Sequence, residues 1–225
     1  ILQSQHPGPL PDHVYAPALP ADLREGRTGV PVIDQAVRTL YATGYLHNHA
    51  RMWLASYTVH LRKVHWRAGA DWMVAHLLDG DLASNHLSWQ WVAGTGSSKP
   101  YVFNAENVAK YAPLAWHSPG TVIDASYERL DALARQPQDL GAEPGEFFGV
   151  VEPALFCEPP AGGFSQADAR AVAARDVWLI HPWALGQVPE GRLPVAVCDA
   201  DWHARWPWSA ARWQFVAARM QALAP

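Results

Sequence analysis

Apolar side chains recur at helical spacing through "HNHARMWLASYTVHLRKVHWR", residues 47–67. They stand at positions 50, 53, 54, 57, 61 and 64. Steps of three and four residues place such side chains along one face of an α-helix. A helix with one apolar face has to bury that face against other elements, so this segment predicts a helical domain built around a shared core.

Proline and glycine mark the ends of other elements. Pro31 begins an apolar pattern that predicts a helix as far as Thr43, and Gly44 is its predicted C-terminal stop. Further helices are predicted at 70–78, 105–111 and 121–135, with a loop at 94–100 and an extended, proline-rich entry at 1–28.

Residues 136–163 interrupt the helical pattern, because ten of these 28 residues are Pro or Gly. Two runs rich in branched residues follow, 177–182 and 193–199, and predict strands; an amphipathic helix is predicted at 209–223. The predicted fold is mainly α with a small C-terminal α/β segment. The predicted limits are 1–135 for the helical region, 136–165 for a Pro/Gly-rich linker and 166–225 for the α/β segment.

Charge is distributed unevenly along the chain. The formal net charge is −4, yet residues 24–110 carry nine Lys or Arg against six Asp or Glu. If Asp79 and Asp81 are engaged internally, the surface of this region is more basic than the count indicates. Such a face would attract phosphate groups.

Several classes of protein are disfavoured. No apolar run reaches membrane-spanning length, and no signal peptide is visible. Cys157 and Cys198 form no disulfide framework, which favours the cytoplasm. Six histidines fall between positions 47 and 86 without the spacing of a zinc site, so no metal site is predicted.

Arg51 is predicted to share a helix face with Asn48 and Met52. An arginine on a half-apolar helix needs a carboxylate partner if it is buried, and Asp79 and Asp81 are the candidates. Removing one partner of a buried pair costs about 3–5 kcal/mol. From these residues alone, an ion pair that only joins two helices explains the pattern as well as a functional site does.

Two longer segments follow the motif order of a known family: "GVPVIDQAVRTLYATGYLHNHARMWLAS" and "HWRAGADWMVAHLLDGDLASNHLSWQWVAGTG". They resemble the flavin-binding half of the photolyase/cryptochrome family, whose pattern includes G-W-x-H-N-x-x-R-M and D-G-D-x-A-x-N-x-x-x-W-Q-W. The resemblance covers residues 24–111. It implies an all-helical domain that binds FAD in a bent conformation.

The resemblance implies five cofactor-binding residues. Arg51 and Asp79 match an ion pair beside the isoalloxazine ring, and Asp81 matches a contact on its ribose and pyrimidine side. Asn85 matches the side chain that faces flavin N5, and Asn48 completes the set. A neutral amide does not readily donate a proton, so Asn85 favours a fully reduced, anionic flavin.

The resemblance also implies roles in electron transfer and substrate binding. Trp89 matches the indole proximal to the flavin, and Trp66 matches the middle member of a tryptophan chain. Met52 and Trp91 match walls of the lesion pocket. Asn48 stands where cyclobutane-dimer enzymes have Asn and (6-4)-lesion enzymes have His.

The implied activity is light-driven repair of cyclobutane pyrimidine dimers, a carbon–carbon lyase reaction that uses an electron from reduced flavin. The implied partner is UV-damaged DNA, either duplex or single-stranded. Two other functions stay open: a cryptochrome-like light sensor that binds FAD without repair, and a degenerate helical module that has lost FAD.

The sequence departs from the family in several places. The family's antenna domain, its T/S-x-x-S-P-Y phosphate-binding loop and its E-x-x-W-R segment have no counterpart. An upstream segment or a partner chain that completes the FAD site is therefore a further expectation. The position of the distal tryptophan falls on His13, with Tyr15 as the substitute donor. Residues 193–223 weakly resemble the start of the antenna domain.

Overall fold

The computed structural model describes residues 6–138, 141, 148–160 and 168–224. Two compact units divide the chain, Ile1–Glu152 and Pro153–Pro225. The predicted limits 1–135, 136–165 and 166–225 remain predictions. Of the predicted linker, residues 139, 140, 142–147 and 161–165 lie outside the described residues.

The regular elements in the described part of the first unit are all helices, joined by loops. Its α-helices are Ala21–Arg24 (α1), Pro31–Thr43 (α2), Asn48–Ser56 (α3), Trp66–His76 (α4), Leu82–Ala93 (α5), Ala105–Tyr111 (α6) and Tyr127–Ala134 (α7). Short 3-10 turns lie at Asp12–Val14 and Leu114–Trp116. This confirms the prediction of a mainly α fold.

Local signals set several helix ends where the sequence predicts them. Helix α2 begins at Pro31 and ends before Gly44, whose φ of 65° is left-handed. Helix α7 is shorter than the predicted 121–135, because the Ser126 side chain accepts the backbone N–H of Arg129 and starts the helix there. No helix is predicted for the residues that form α5.

The apolar stripe of residues 50–64 does not form one regular helix. After α3 the chain continues as a π-helical segment, Tyr57–Leu61, and then turns at Lys63, whose φ is 50°. The buried Lys63 ammonium donates to the carbonyls of Leu133 and Ala134 at 2.7 and 3.1 Å. The lysine thereby satisfies carbonyls at the C-terminal end of α7, which no sequence periodicity encodes.

The second unit combines short strands with helices. Its elements are Leu155–Phe156 (β1), Ala169–Val172 (α8), Val177–Ile180 (β2), Leu193–Ala196 (β3), Ala200–Arg205 (α9), Trp208–Ser209 (β4) and Ala210–Leu223 (α10). Strand β1 pairs antiparallel with β4, and β2 pairs parallel with β3. The core is Ile180, Trp208, Trp213, Val216 and Met220. The predicted C-terminal α/β segment is thus confirmed.

Helix α5 packs against both α3 and α4, and this arrangement positions the candidate site. The apolar core of the first unit includes Trp53, Trp66, Met73 and Trp89, all at most 3% exposed. In the described part of the chain, no helix has both the length and the apolar character needed to cross a membrane.

Candidate functional site

A pocket of about 130 Å³ opens among α3, α5 and the turn that joins α4 to α5. We call it the α3–α5 pocket. Its lining residues are Asn48, Arg51, Met52, Ala55, Met73, Leu77, Asp79, Gly80, Asp81, Ser84, Asn85, Ser88, Trp89 and Val92. Seven of the nine residues that the resemblance assigned to the site therefore share one pocket.

Arg51 holds the rim of this pocket together. Its Nη2 donates to both carboxylate oxygens of Asp79 at 2.8 and 2.9 Å, and its Nε donates to the carbonyl of Leu46 at 2.8 Å. The predicted pairing of Arg51 with Asp79 is present, but the pair is not buried, since the two side chains are 26% and 51% exposed. A half-exposed pair contributes about 1 kcal/mol or less to stability.

Asp81 fixes the start of α5. Its Oδ1 accepts the backbone N–H of Ser84 at 2.7 Å, which caps the helix. Asp81 is nevertheless exposed. Both Asp79 and Asp81 are thus engaged by partners within the chain, as the sequence predicts, although both residues are exposed.

Asn85 and Trp89 lie one turn apart on α5 and form the inner part of the pocket. The Asn85 Nδ2 donates to the carbonyl of Ala70 at 2.8 Å, so its Oδ1 is the atom left to accept a hydrogen bond. Trp89 is 2% exposed. A Cβ built at Gly69 would overlap the six-membered ring of Trp89, so glycine is what allows this indole to approach α4.

Asn48 and Met52 lie one turn apart on α3, at the opening. The Asn48 Nδ2 is 3.6 Å from the Met52 sulfur, a weak contact that leaves the amide free to bind a ligand. Histidine is absent from the described residues that line this pocket.

Trp66 and Trp91 lie outside the α3–α5 pocket. Trp66 is buried and contacts the rings of His65 and His86 at centroid distances of 5.7 and 6.2 Å. Trp91 is 47% exposed and packs against Tyr101, with ring centroids 5.6 Å apart. Their assigned roles stay predictions.

Tyr15 lies on the same side of the core as Trp66. Both side chains line a small second cavity, and His65 contacts each of them, with a Tyr15–His65 centroid distance of 6.3 Å. Burial, with a smaller contribution from the charge of Asp12, raises the pKa of Tyr15 to about 12.

The surface of the helical unit is less basic than the charge count suggests. Arg62 and Lys63, two of the nine basic residues in 24–110, are 5% and 4% exposed, and Asp34, one of the six acidic residues, is fully buried, which leaves seven basic against five acidic residues. Arg62 donates to both oxygens of the buried Asp22 at 2.6 and 3.2 Å. The expectation that the count understates the positive surface is therefore wrong.

Sequence reasoning missed Ser84, Ser88 and Met73 as lining residues. Ser84 and Ser88 follow Asp81 at helical steps of three and four residues, so the spacing of α5 could have placed them on the pocket face. Met73 faces the pocket from α4, which only the packing of α4 on α5 reveals.

Comparison with known proteins gives a match over most of the helical unit. Residues 12–115 match the family model described as the FAD binding domain of DNA photolyase. The deoxyribodipyrimidine photo-lyase of Escherichia coli is 43% identical over 129 residues, which cover 50% of this chain and 27% of that protein. The chain thus spans about a quarter of the length of that relative.

Two solved structures are also similar. An archaeal photolyase from Sulfolobus tokodaii, solved with two FAD molecules, shares 31% identity, with 56% of this chain and 30% of that chain covered at a TM-score of 0.42. A Synechocystis cryptochrome shares 25% identity, with 53% and 29% covered at a TM-score of 0.41.

FAD is the cofactor of this domain, and the lining residues fit one part of it. The guanidinium of Arg51, the amides of Asn48 and Asn85 and the indole of Trp89 suit a flat ring with a polar edge. At about 130 Å³ the pocket is smaller than the roughly 300–1,000 Å³ of ordinary ligand sites, so it accommodates only a small part of FAD. Among the described residues no cluster of His, Cys, Asp and Glu is arranged to hold a metal ion.

Proposed function

Residues 12–115 of this chain belong to the FAD-binding domain of the photolyase/cryptochrome family, and from this we propose that the protein repairs cyclobutane pyrimidine dimers in DNA with light. The observation that carries the proposal is the α3–α5 pocket. It joins Asn85 and Trp89 on its inner side with Arg51 at its rim and with Asn48 and Met52 at its opening.

The proposed roles follow from the contacts. Arg51, anchored on Leu46 and Asp79, places a fixed cation at the rim beside the flavin ring. Asn85 presents its Oδ1 and accepts a hydrogen bond from a flavin N–H, which holds that proton in place. Buried Trp89 excludes water from the inner wall and supplies an electron to the light-excited cofactor.

When bound, reduced and excited by light, FAD would supply the electron that opens the cyclobutane ring and would take it back once the two pyrimidines have separated. The chain's own part is to bind the flipped-out lesion. Asn48 offers an amide to the lesion, Met52 offers an apolar contact, and the half-exposed Trp91 offers a surface for stacking. Base stacking on an aromatic side chain contributes roughly 1–3 kcal/mol per base.

The lesion class follows from the absence of an imidazole among the described lining residues. The family resemblance places histidines at the positions of Asn48 and Met52 in enzymes that act on (6-4) lesions. We therefore propose cyclobutane dimers as the substrate. Repair of a (6-4) lesion without any dimer repair would contradict this assignment.

A repair assay tests the proposed function. FAD-loaded protein is mixed with a short oligonucleotide that carries one thymine dimer, and the repaired strand is measured by chromatography after blue light or darkness. We expect light-dependent repair by the wild type. FAD without protein, at the same concentration, controls for free flavin in solution. Flavin photoreduction without repair of single-stranded or duplex substrate would contradict the proposal.

That contradictory outcome would support a light sensor instead. The observation in its favour is that Arg62 and Lys63 are buried, which leaves less positive surface for DNA than the sequence suggests. The third alternative, a helical module without FAD, predicts colourless protein and no flavin absorbance after reconstitution.

We propose that further protein, from an upstream segment or a partner chain, completes the FAD site. The small volume of the pocket and the exposure of Asp79 support this. FAD should bind this chain more weakly than it binds the chain extended by its upstream sequence, as measured by flavin fluorescence. We also propose a cytoplasmic location, because Cys157 and Cys198 are exposed free thiols, as a reducing compartment permits.

A further inference from the structure

A third pocket, distinct from the small cavity beside Tyr15, lies on another side of α3, and the proposed function does not use it. Its volume is about 160 Å³, and we call it the aromatic–histidine pocket. Its lining residues are His47, His49, Ala50, Trp53, Tyr111, Ala112, Pro113 and Trp116. A cavity of about 150 Å³ accepts benzene, so this pocket has room for one six-membered ring.

The rings of the pocket already form a stack. His49 lies parallel to Tyr111, with an interplanar angle of 5° and centroids 5.4 Å apart. His47 stacks on His49 at 5.2 Å and 20°, and Trp53 lies 5.9 Å from His49 at 30°. Parallel planes of this kind extend naturally by one more flat ring, whereas an aliphatic ligand would gain nothing from their alignment.

The residues around the pocket favour a ligand that joins a flat ring to a negatively charged group. The Lys110 ammonium lies 5.1 Å from the centre of the Tyr111 ring, so a cation stands beside the stack. Carboxylates are absent from the described residues that line the pocket. Tyr111 is 54% exposed, so a ligand can reach its ring from solvent.

We infer that the aromatic–histidine pocket stacks one nucleobase of a DNA single strand, with Lys110 facing the phosphate of that nucleotide. The inference rests on the proposed function in one respect: the strand is taken to be the one whose lesion occupies the α3–α5 pocket. Sequence-tolerant stacking beside a positive charge is the usual way in which proteins hold unpaired strands.

The two pockets share helix α3, which sets the distance along the strand. Asn48 and Met52 line one pocket, while His49 and Trp53, their next neighbours in sequence, line the other. A helix with its side chains is about 10–12 Å across, which equals about three nucleotides at the roughly 3.4 Å rise of a stacked strand and fewer in a more extended strand. The stacked base is therefore within about three nucleotides of the lesion.

The first experiment needs no lesion. Binding of FAD-loaded full chain to an undamaged oligothymidine and to an abasic oligomer of equal length is measured by fluorescence anisotropy. We expect the bases to strengthen binding by roughly 5- to 150-fold, and Tyr111→Leu to remove most of that advantage. Phe215→Leu, at an aromatic residue of similar exposure (56%) in the second unit, is the matched control. This variant should keep the stronger binding to oligothymidine.

The second experiment locates the base. An oligonucleotide with a central thymine dimer carries one abasic site at each flanking position in turn. We expect the abasic site to weaken binding at one position within about three nucleotides of the dimer. In Tyr111→Leu no position in this range should have that effect. If Tyr111→Leu and Phe215→Leu bind these oligonucleotides equally in both experiments, the inference is overturned, even if the protein prefers dimer-containing DNA to undamaged DNA. A Tyr111-dependent preference for oligothymidine without any preference for dimers leaves the pocket standing and contradicts the proposed repair.

Discussion

The pocket rim and the core of the helical unit each contain an arginine–aspartate pair, and the pairs differ in burial. Arg62 and Asp22 are 4% and 8% exposed and joined at 2.6 Å. Arg51 and Asp79 are 26% and 51% exposed and joined at 2.8 Å. The same chemistry therefore stabilises the fold at one place and leaves a cation within reach of a ligand at the other.

The difference shows how to separate site residues from structural ones in this chain. A substitution in the core should change the free energy of unfolding and leave the flavin chemistry of the folded protein intact. A substitution at the pocket should do the reverse. Each of the following experiments measures both properties, and the expected effects decrease from the first to the last.

Trp89→Phe tests the pocket most strongly. The substitution keeps an apolar ring beside Gly69 but makes oxidation of that ring harder, so FAD stays bound while fast photoreduction is almost completely lost. Transient absorption on flavin-loaded protein measures it. Trp53→Phe, at an equally buried indole outside the α3–α5 pocket, is the control. Undiminished photoreduction in Trp89→Phe would mean that this indole only packs.

Arg62→Ala tests the core. It leaves the Asp22 carboxylate buried without its partner, so the free energy of unfolding should fall by about 3–5 kcal/mol. Urea denaturation measures the change. Arg51→Ala is the matched control and should cost about 1 kcal/mol or less, because its pair is half exposed. Equal losses in the two variants would remove the distinction between the two pairs.

Arg51→Ala should act on the cofactor instead. A hydrogen bond to a charged group contributes about 1.5–3 kcal/mol, so FAD affinity should fall by roughly 10- to 150-fold. Flavin fluorescence titration measures it, and Arg51→Lys should recover only part of the loss because lysine lacks the planar fork. A flavin spectrum and affinity unchanged in Arg51→Ala would exclude Arg51 from the cofactor site.

His60 gives the core a dependence on pH. Burial lowers the pKa of His60 to about 4, compared with about 6.5 for an unfolded histidine. Between these values the unfolded chain binds one more proton, so stability decreases as pH falls through that window, by up to about 1.4 kcal/mol per pH unit. The loss begins near pH 6.5 and is complete near pH 4.

His60→Gln should reduce this dependence. Glutamine can still donate to the carbonyl of Val92, which the His60 Nε2 contacts at 2.9 Å. Urea denaturation at pH 7, 6 and 5 gives the slope. His47→Gln, at an exposed histidine, should leave the slope unchanged. An unaltered slope in His60→Gln would assign the acid sensitivity to other groups.

Tyr15→Phe should give the smallest effect. Tyr15 contacts His65, which contacts Trp66, and it does not line the α3–α5 pocket, so it can serve as a late electron donor but not as the first. We expect initial photoreduction to persist and the charge-separated state to shorten, as measured by transient absorption. A lifetime equal to that of the wild type would show that Tyr15 does not replace the distal tryptophan.

The sequence encodes the local features of this protein. The limits of α2 follow from Pro31 and Gly44, and helix α6 lies at the predicted 105–111, because the signals for these helices lie within the helices or next to them. Seven of the 14 residues that line the α3–α5 pocket are predicted through the motif spacing of two helices and one turn, which carries over from the family because it is local.

Tertiary packing decided which charges and indoles face the pocket. Arg51 and Arg62 look alike in sequence, and only the position of α1 places Asp22 against Arg62 and buries both. Trp89 and Trp91 are two residues apart, yet Trp89 is 2% exposed and Trp91 is 47% exposed. Helix α4 packs against the face of α5 that carries Trp89 and leaves the face with Trp91 open. Burial depends on contacts between segments distant in the chain, so a periodic pattern cannot specify it.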